Sequence, residues 1–332
     1  MRQSLHIRIA GGHTKNYFAT TNFYPSKYAL WCLFKGIKHK MTAINGAIPT
    51  PEQEESDLQY NARATVPDIA PMLRDYATLS AQARSTLPCA LNVSYGEHPD
   101  ETLDIFFAQG KARAPVFIYL HGGYWRLLSK DDSSFMAPAL TAAGMTVVAV
   151  NYSLAPAVSL DRIVDQTRRA MAWVQNNIDS YHGDGQKLII SGSSAGGHLG
   201  GMVLARGWQA SYGFDARALA GAVLLSGLFD ITPLVNTHIN EWMRLSPEDA
   251  RRNSPLFELP DYGPPLIVSY GSNETVTFKQ QSQDFLSAWN TKGFKGEYVD
   301  MPDTNHFDLV LHLNRLESPL VQKLLKLLDL PG

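Results

Sequence analysis

A serine flanked by glycines is the strongest candidate for a nucleophile in this sequence. Residues 192–196 read Gly-Ser-Ser-Ala-Gly, which is the G-x-S-x-G pattern with Ser194 at its centre. A short apolar strand is predicted over Lys187–Ser191 and a helix after the motif, a context that distinguishes a nucleophile from a glycine-rich turn without chemistry. A hydroxyl on such a turn lies at a helix N-terminus, where developing negative charge is stabilised. We therefore predict that Ser194 attacks a carbonyl carbon, and we expect His198, one turn further on, to pack beside the turn.

A second glycine pair, Gly122 and Gly123, follows another predicted apolar strand. Acyl transfer places negative charge on the carbonyl oxygen, and backbone N–H groups that point at this oxyanion lower the barrier by several kcal/mol. Glycines allow the backbone to approach a substrate closely. We predict that the oxyanion hole is formed by the N–H of Ala195 together with donors from Gly122–Tyr124. The choice among Gly122, Gly123 and Tyr124 stays open.

The other residues near these glycines have weaker claims to chemistry. His121 precedes the pair, and we expect it to order the loop through hydrogen bonds rather than to act as a base. Tyr124 and Trp125 can either line an aromatic substrate pocket or pack in the core. Phe229 and Trp242, farther along the chain, are additional candidates for the pocket wall.

A serine nucleophile requires a general base, and an imidazole is the best candidate at neutral pH. Of the 10 histidines, His306 follows the last predicted strand, where a fold of this type returns a loop to the nucleophile. The base in turn needs a carboxylate to hold its tautomer and stabilise its charged form. Glu274 follows a predicted strand between Ser194 and His306, which gives the chain order serine, acid, histidine. Asp230 and Asp303 are the alternative acids.

The strands that must position these residues follow from the hydrophobic pattern. Several of the eight predicted runs are apolar on both faces, as are parallel strands covered by helices on both sides. The first two are expected to pair antiparallel, and helical segments alternate with the later ones. The fold class is therefore α/β, with a mostly parallel, doubly wound, eight-stranded sheet that binds ligands at the carboxyl ends of its strands. The predicted strands are residues 91–95, 103–108, 116–120, 146–151, 188–191, 222–226, 266–270 and 297–301.

Three further segments complete the predicted architecture. Apolar residues at helical spacing predict a helix over Asp161–Asn177. The last helix is predicted to begin at Ser318 as N-cap, with Pro319 in its first position. The stretch Phe229–Tyr262, between the sixth and seventh strands, is too long for a simple crossover. We predict that it forms a small, partly helical cap over the carboxyl edge of the sheet.

Composition and charge exclude several classes of protein. With 332 residues, 45% hydrophobic and 18% charged, the chain can bury a large core and is neither disordered nor fibrous. A net charge of −2 gives no field that would attract nucleic acid or an anionic membrane. Cys32 and Cys89 are too few for a disulfide scaffold or a cysteine-rich metal site. We expect a cytoplasmic protein with a small-molecule substrate and no nucleic-acid or membrane partner, and we leave a homodimer open.

Charge also divides the chain near residue 40. Residues 1–40 contain seven Lys or Arg and no Asp or Glu, whereas the remainder contains 22 basic and 31 acidic residues. We predict that residues 1–40 form a basic N-terminal extension outside the fold and that residues 41–332 form a single domain. An upstream extension with the true start at Met41 is the favoured interpretation. A transit peptide and an ordered arm are the alternatives.

Taken together, these motifs resemble the α/β-hydrolase fold and, within it, the kynurenine formamidase (arylformamidase) group. The resemblance covers Gln59–Leu330 and rests on the serine motif, the chain order and the run His-Gly-Gly-Tyr-Trp at 121–125. It implies that Ser194, Glu274 and His306 form a catalytic triad beside an oxyanion loop, with no metal or organic cofactor. Ser193 departs from the group, which often has histidine there. Further likeness lies at residues 59–61, 151–156, 226–230 and 271–274.

The resemblance also implies a reaction. The first hypothesis is a serine hydrolase that cleaves the formamide or short acyl bond of an aryl substrate such as N-formylkynurenine, a step of tryptophan catabolism. The second is a general short-chain carboxylesterase. The third is a hydrolase-fold binding protein without turnover.

Overall fold

The structure, a computed structural model, describes residues 50–330, so the predicted extension over residues 1–40 lies outside the described part of the chain. One eight-stranded sheet runs through this part. Its strands are β1 Cys89–Ser94, β2 Thr102–Phe106, β3 Ala114–Leu120, β4 Thr146–Val150, β5 Gly183–Ser193, β6 Leu219–Leu225, β7 Leu266–Ser269 and β8 Gly296–Tyr298.

The strand order is β1-β2-β4-β3-β5-β6-β7-β8. β2 pairs antiparallel with both β1 and β4, and the remaining neighbours pair in parallel. This confirms the predicted antiparallel entry and the mostly parallel sheet. β8 is shorter than predicted, because regular pairing with β7 ends at Tyr298.

Helices cover both faces of the sheet, and their starts follow local sequence signals. The Ser159 side chain caps one long helix, and Ser318 caps the last helix with Pro319 in its first turn, as predicted. No helix within residues 50–330 has the length and apolar character needed to cross a bilayer. The α-helices are α1 Pro51–Gln59, α2 Ala70–Thr86, α3 Ala137–Ala142, α4 Leu160–Asn177, α5 Ala195–Leu204, α6 Gln209–Tyr212, α7 Asn240–Met243, α8 Pro247–Arg252, α9 Val276–Thr291 and α10 Pro319–Leu327.

The side chains of β3 alternate between two hydrophobic cores. Val116, Ile118 and Leu120 lie in one core with residues of α4, α5 and α9. Phe117 and Tyr119 lie in the other with residues of α2, α3 and α10. Each aliphatic side chain buried in this way contributes about 1.5–3 kcal/mol relative to its exposed state. The doubly wound arrangement predicted from the apolar strands is therefore confirmed.

The segment between β6 and β7 contains only short helical elements. These are α7, α8 and the 3-10 turns Thr232–Asn236 and Pro255–Phe257. The indole N–H of Trp242 in this segment donates to the Tyr124 carbonyl at 3.3 Å. The segment, called the cap below, therefore lies beside the carboxyl end of β3.

Candidate active site

Ser194 lies on a strained turn between β5 and α5. Its φ of 58° is in the left-handed region, which residues with a side chain adopt at an energetic cost. Its N–H donates to the Leu225 carbonyl at 2.9 Å, at the end of β6. A Cβ on Gly192 would lie 2.3 Å from the Gly196 oxygen, and a Cβ on Gly196 would lie 1.9 Å from the Leu120 oxygen. Both glycines are therefore required by the space in which the turn closes.

The glycine loop, residues 121–125, is held by its carbonyl groups. Every one of the five accepts a hydrogen bond, and three of the six donors are side-chain groups. The donors are the Tyr152 hydroxyl to His121 O (2.6 Å), the His121 Nδ1 to Gly122 O (2.9 Å), the Arg126 and Leu127 N–H groups to Gly123 O (3.0 Å each), the Trp242 indole to Tyr124 O (3.3 Å) and the Ala155 N–H to Trp125 O (2.7 Å).

In contrast to its carbonyl groups, several N–H groups of the same loop have no hydrogen-bond partner in the described part of the chain. Within residues 50–330, the N–H groups of Gly122, Gly123 and Tyr124 donate to no protein acceptor, and neither does that of Ala195 at the start of α5. A Cβ on Gly122 would lie 3.4 Å from the Ser194 Cβ, so the loop lies directly beside the serine. Unpaired donors next to a nucleophile are what the stabilisation of an oxyanion requires.

On the other side of the site, the ring of His306 is paired with Glu274. Nδ1 of the imidazole lies 2.8 Å from Oε2 of the carboxylate, and both residues are buried. The second oxygen, Oε1, accepts from the Ser226 hydroxyl at 2.5 Å and from the Gly271 N–H at 2.6 Å. Donors therefore occupy both carboxylate oxygens, which fixes the orientation of the acid.

The rival carboxylates do not contact this imidazole. Asp230 accepts from the N–H and the hydroxyl of Thr232, and Asp303 is exposed on a turn of positive φ. Phe278 packs 4.6 Å from the His306 ring, between ring centroids. The acid that the structure brings to His306 is thus Glu274.

The serine and the imidazole are positioned by neighbouring residues of one strand end. The Leu225 carbonyl receives the Ser194 N–H, and the next residue, Ser226, holds Glu274. In the structure, which describes residues 50–330, no hydrogen bond joins the Ser194 hydroxyl to the His306 ring. Catalytic hydrogen bonds of unliganded sites are often long and shorten only when substrate binds.

Two further buried imidazoles lie near the serine, and both are neutral. Burial lowers the pKa of His121 to about 4, and burial likewise lowers the pKa of His198 to about 4. His121 stacks on Tyr152 with 4.0 Å between ring centroids and orders the glycine loop, as its position in the sequence predicts. Neither ring contacts a carboxylate, so neither has the partner that a general base needs.

Three residues considered for the pocket wall differ in how much of their surface is exposed. Trp125 and Phe229 have no exposed surface, so Trp125 takes the core alternative and neither residue lines an open pocket in the structure. The Phe229 ring stacks on Phe285 at 4.1 Å, and the Trp125 ring packs edge-on against His198 at 4.9 Å. Large apolar rings lose more water-exposed area in the core than they would in an open cleft. Trp242 keeps partial exposure next to the glycine loop.

Sequence reasoning missed the residues that support the site. Ser226, Tyr152 and the carbonyl of Asn253 act on the site through contacts with residues distant in the chain, which no local pattern reveals. Ser226 had one usable signal, since it directly follows a buried strand.

In residues 50–330 no group of three or more His, Cys, Asp or Glu side chains is arranged to hold a metal ion.

Comparison with known proteins gives the same fold and a family. The BD-FAE family model matches residues 103–218. A kynurenine formamidase of Salmo salar is 34% identical over 288 residues, which cover 83% of this chain and 95% of that protein. Esterase LipQ of Mycobacterium tuberculosis is 28% identical over 79% of this chain and 65% of its own length.

The solved structures agree with these relatives. A crystal structure from Silicibacter sp. TM1040 superposes with a TM-score of 0.70 at 27% identity, over 81% of this chain and 98% of that one. The α/β-hydrolase fold implied by the motifs is confirmed. The extent of the match to the salmon enzyme, together with this fold, shows that the chain is a hydrolase and belongs to the kynurenine formamidase family.

Proposed function

We propose that this hydrolase cleaves the formamide bond of an aryl formamide, such as N-formylkynurenine, through an acyl-enzyme on Ser194. One observation carries the proposal. A serine at positive φ lies beside unpaired backbone N–H groups of the glycine loop, and the strand end that receives its N–H leads through Ser226 and Glu274 to a carboxylate-paired imidazole, His306. These are the nucleophile, the oxyanion donors and the oriented base of acyl transfer.

In the first half-reaction, the Ser194 oxygen bonds to the formyl carbon while Nε2 of His306 takes the hydroxyl proton. The carbonyl electrons move to the oxygen, which accepts hydrogen bonds from the N–H groups of Gly122, Gly123 and Ala195. The C–N bond then breaks, and the imidazolium gives its proton to the leaving arylamine nitrogen. In the second half-reaction, water bonds to the formyl carbon while Nε2 of His306 takes its proton. The bond between that carbon and the Ser194 oxygen then breaks, the imidazolium returns the proton to Ser194, and formic acid leaves and ionises to formate.

Glu274 has a defined part in both half-reactions. A carboxylate oxygen accepts only, so the nitrogen facing it, Nδ1 of His306, carries a proton and Nε2 is left free to act as base. The same carboxylate stabilises the positive charge of the imidazolium when Nε2 is protonated. The two donors on Oε1, Ser226 and Gly271, prevent the carboxylate from rotating away.

The space beside the nucleophile supports a small acyl group. A Cβ on Gly122 would already lie 2.9 Å from the Ser193 oxygen, and Ser194 itself is only 6% exposed. The Trp125 ring, at the end of the glycine loop, is completely buried and offers no surface to an acyl chain. Formyl is the smallest acyl group, and the formamidase relative is named for it.

The test is a direct comparison of kcat/KM for an N-formyl arylamine and for a p-nitrophenyl ester of a short acid. We expect the formamide to be turned over and Ser194→Ala to lower its turnover by at least about a thousandfold. Turnover of the ester alone would remove the formamide assignment. Substantial turnover by Ser194→Ala would remove the acyl-enzyme.

A short-chain carboxylesterase is the second candidate, because the mycobacterial relative is named an esterase and the same triad cleaves esters. A binding protein without turnover is the third. A serine-reactive phosphonate separates it from both enzymes, since a folded wild-type protein that gains no adduct on Ser194 does not act through this serine. The cytoplasmic location and the homodimer stay predictions.

A further inference from the structure

His198 is a buried imidazole that the proposed reaction does not use. It lies on α5, four residues after Ser194, and has no exposed surface. Its Nδ1 lies 3.2 Å from the indole Nε1 of Trp125, and its Nε2 lies 2.6 Å from the carbonyl oxygen of Asn253. One side chain therefore connects the nucleophile helix, the glycine loop and the cap.

The two hydrogen-bond partners of His198 determine which of its ring nitrogens carries the proton. The Asn253 carbonyl can only accept, so Nε2 of His198 carries the proton. The Trp125 indole N–H can only donate, so Nδ1 presents its lone pair. A charged ring would place two N–H groups face to face at Nδ1 and break the bond to Trp125. The low pKa that burial gives His198, about 4, agrees with a neutral ring.

Trp125 transmits this contact to the glycine loop. It is the last residue of the loop, its φ of 54° is in the left-handed region, and its carbonyl accepts from the Ala155 N–H at 2.7 Å. Its ring is completely buried and lies edge-on to His198. A loop with consecutive residues at positive φ needs such contacts, because the backbone alone does not favour its shape.

We propose that His198 is a positioning residue that sets the glycine loop relative to Ser194 by accepting the Trp125 indole N–H. The loop N–H groups are thereby held where the oxyanion of the transition state forms. This inference rests on the proposed acyl transfer but not on the identity of the acyl group. Because the oxyanion exists only in the transition state, loss of the contact should lower kcat and leave KM nearly unchanged.

The first test removes the indole donor, together with a part of the ring volume that the control variant loses as well. Trp125→Phe should lower kcat by about tenfold or more, a part of the hundredfold or greater loss that follows removal of a whole oxyanion donor. Trp208→Phe is the matched control, since the indole of Trp208 is also buried and donates to the Val203 carbonyl at 3.0 Å, away from the serine. The control should change kcat by less than about twofold. Equal effects of the two variants would overturn the proposal.

The second test uses the donor and acceptor pattern of the ring. The side-chain amide of His198→Gln offers one acceptor and one donor, whereas His198→Leu offers neither. We expect His198→Gln to recover most of the kcat lost in His198→Leu. Equal losses in two variants with matching thermal midpoints would identify a purely structural role and overturn the proposal. If His198→Leu does not fold, Trp125→Phe and His198→Gln still provide the comparison.

The decisive readout separates transition-state from ground-state binding. An aryl trifluoromethyl ketone adds to Ser194 and forms an oxyanion, whereas the arylamine product does not. The inhibition constant of the ketone should rise in proportion to the loss of kcat in Trp125→Phe and His198→Leu, while that of the arylamine stays within about twofold. Parallel weakening of both ligands, or of neither, would contradict the proposal.

Two further measurements distinguish failure of the His198 proposal from failure of the proposed function. Variants are assayed on both the formamide and p-nitrophenyl acetate, so an esterase without formamidase activity still tests His198. A wild-type protein that gains no phosphonate adduct on Ser194 would instead exclude acyl transfer itself.

Discussion

The two sides of Ser194 are built in opposite ways. The glycine loop presents backbone N–H groups, and side chains of His121, Tyr152 and Trp242 hold its carbonyl groups in place. The opposite side presents side chains, Glu274 and His306, and is held in part by a backbone N–H. On the first side the side chains support the groups that would do the chemistry, whereas on the second side the side chains would do the chemistry themselves. Substitutions should therefore act directly on one side and indirectly on the other.

The largest effect should come from the side-chain pair. Glu274→Gln should lower kcat by about a thousandfold to ten-thousandfold, because an amide oxygen facing the two Oε1 donors turns its NH₂ toward Nδ1 and selects the wrong tautomer of His306. The assay is steady-state turnover of wild type and variant. Asp303→Asn, an exposed carboxamide three residues before His306, is the control and should stay within twofold. A small loss of kcat in Glu274→Gln would show that Glu274 does not set the tautomer of His306.

The next effect concerns stability and belongs to the glycine-loop side. His121 and His198 have pKa values of about 4 in the folded protein and an ordinary value of 6.5 when unfolded, so unfolding takes up protons between these pH values. The free energy of unfolding should therefore fall as pH drops from 6.5 toward 4, by roughly 2 kcal/mol per histidine at pH 5. Urea unfolding at pH 7 and pH 5 measures this loss. His198→Gln should abolish the part of this loss that His198 contributes. An unchanged pH dependence of the free energy of unfolding in that variant would show that burial does not lower the pKa of His198.

A smaller effect should follow from crowding the loop against the serine. A methyl group on Gly122 would meet the Ser193 oxygen at 2.9 Å, so Gly122→Ala must displace the loop by a few tenths of an ångström. We expect kcat to fall by about tenfold to a hundredfold with little change in KM. Steady-state kinetics decide this, with the rate of phosphonate labelling as a second measurement. A rise in KM at constant kcat would show that Gly122 contacts substrate rather than the oxyanion.

The smallest effect should come from the support of the acid. Ser226→Ala removes one of the two donors to Oε1 of Glu274 and should lower kcat by about tenfold, the value of one buried hydrogen bond to a charged group. Ser269→Ala is the matched control, because its hydroxyl is also buried but donates to the Val299 carbonyl at 2.8 Å. Equal kcat values for the two variants would show that Gly271 alone suffices to orient the acid.

Much of the fold and of the candidate site could be predicted from the sequence, because the signals come from residues that are close together in the chain. Apolar runs on both faces of strands, the Ser318 cap and the motif around Ser194 each depend on residues close together in the chain. Glu274 and His306 could be predicted because they follow strand ends in an order that the fold imposes. A side chain that performs chemistry is visible by its type and position.

The supports of the glycine loop could not be predicted. Trp125 finds its partner 73 residues away on α5, and the Tyr124 hydroxyl donates to the Tyr60 carbonyl, which precedes it by 64 residues. Such contacts depend on how helices dock, so an aromatic residue next to a loop is equally compatible with a pocket wall and with the core. For this reason the choice between pocket and core stayed open for Trp125, and Phe229 was assigned to the pocket wall although it lies in the core.

Leu225, the last residue of β6, and Ser226, which follows it, have a dynamic consequence. One receives the amide of the nucleophile and the next holds the acid, so a single peptide unit in the middle of the sheet is the common reference for both groups. We therefore expect breathing of the outer helices to carry the Ser194 hydroxyl and the Glu274 carboxylate together instead of separating them. The distance between these two groups should then change little while the periphery of the molecule moves.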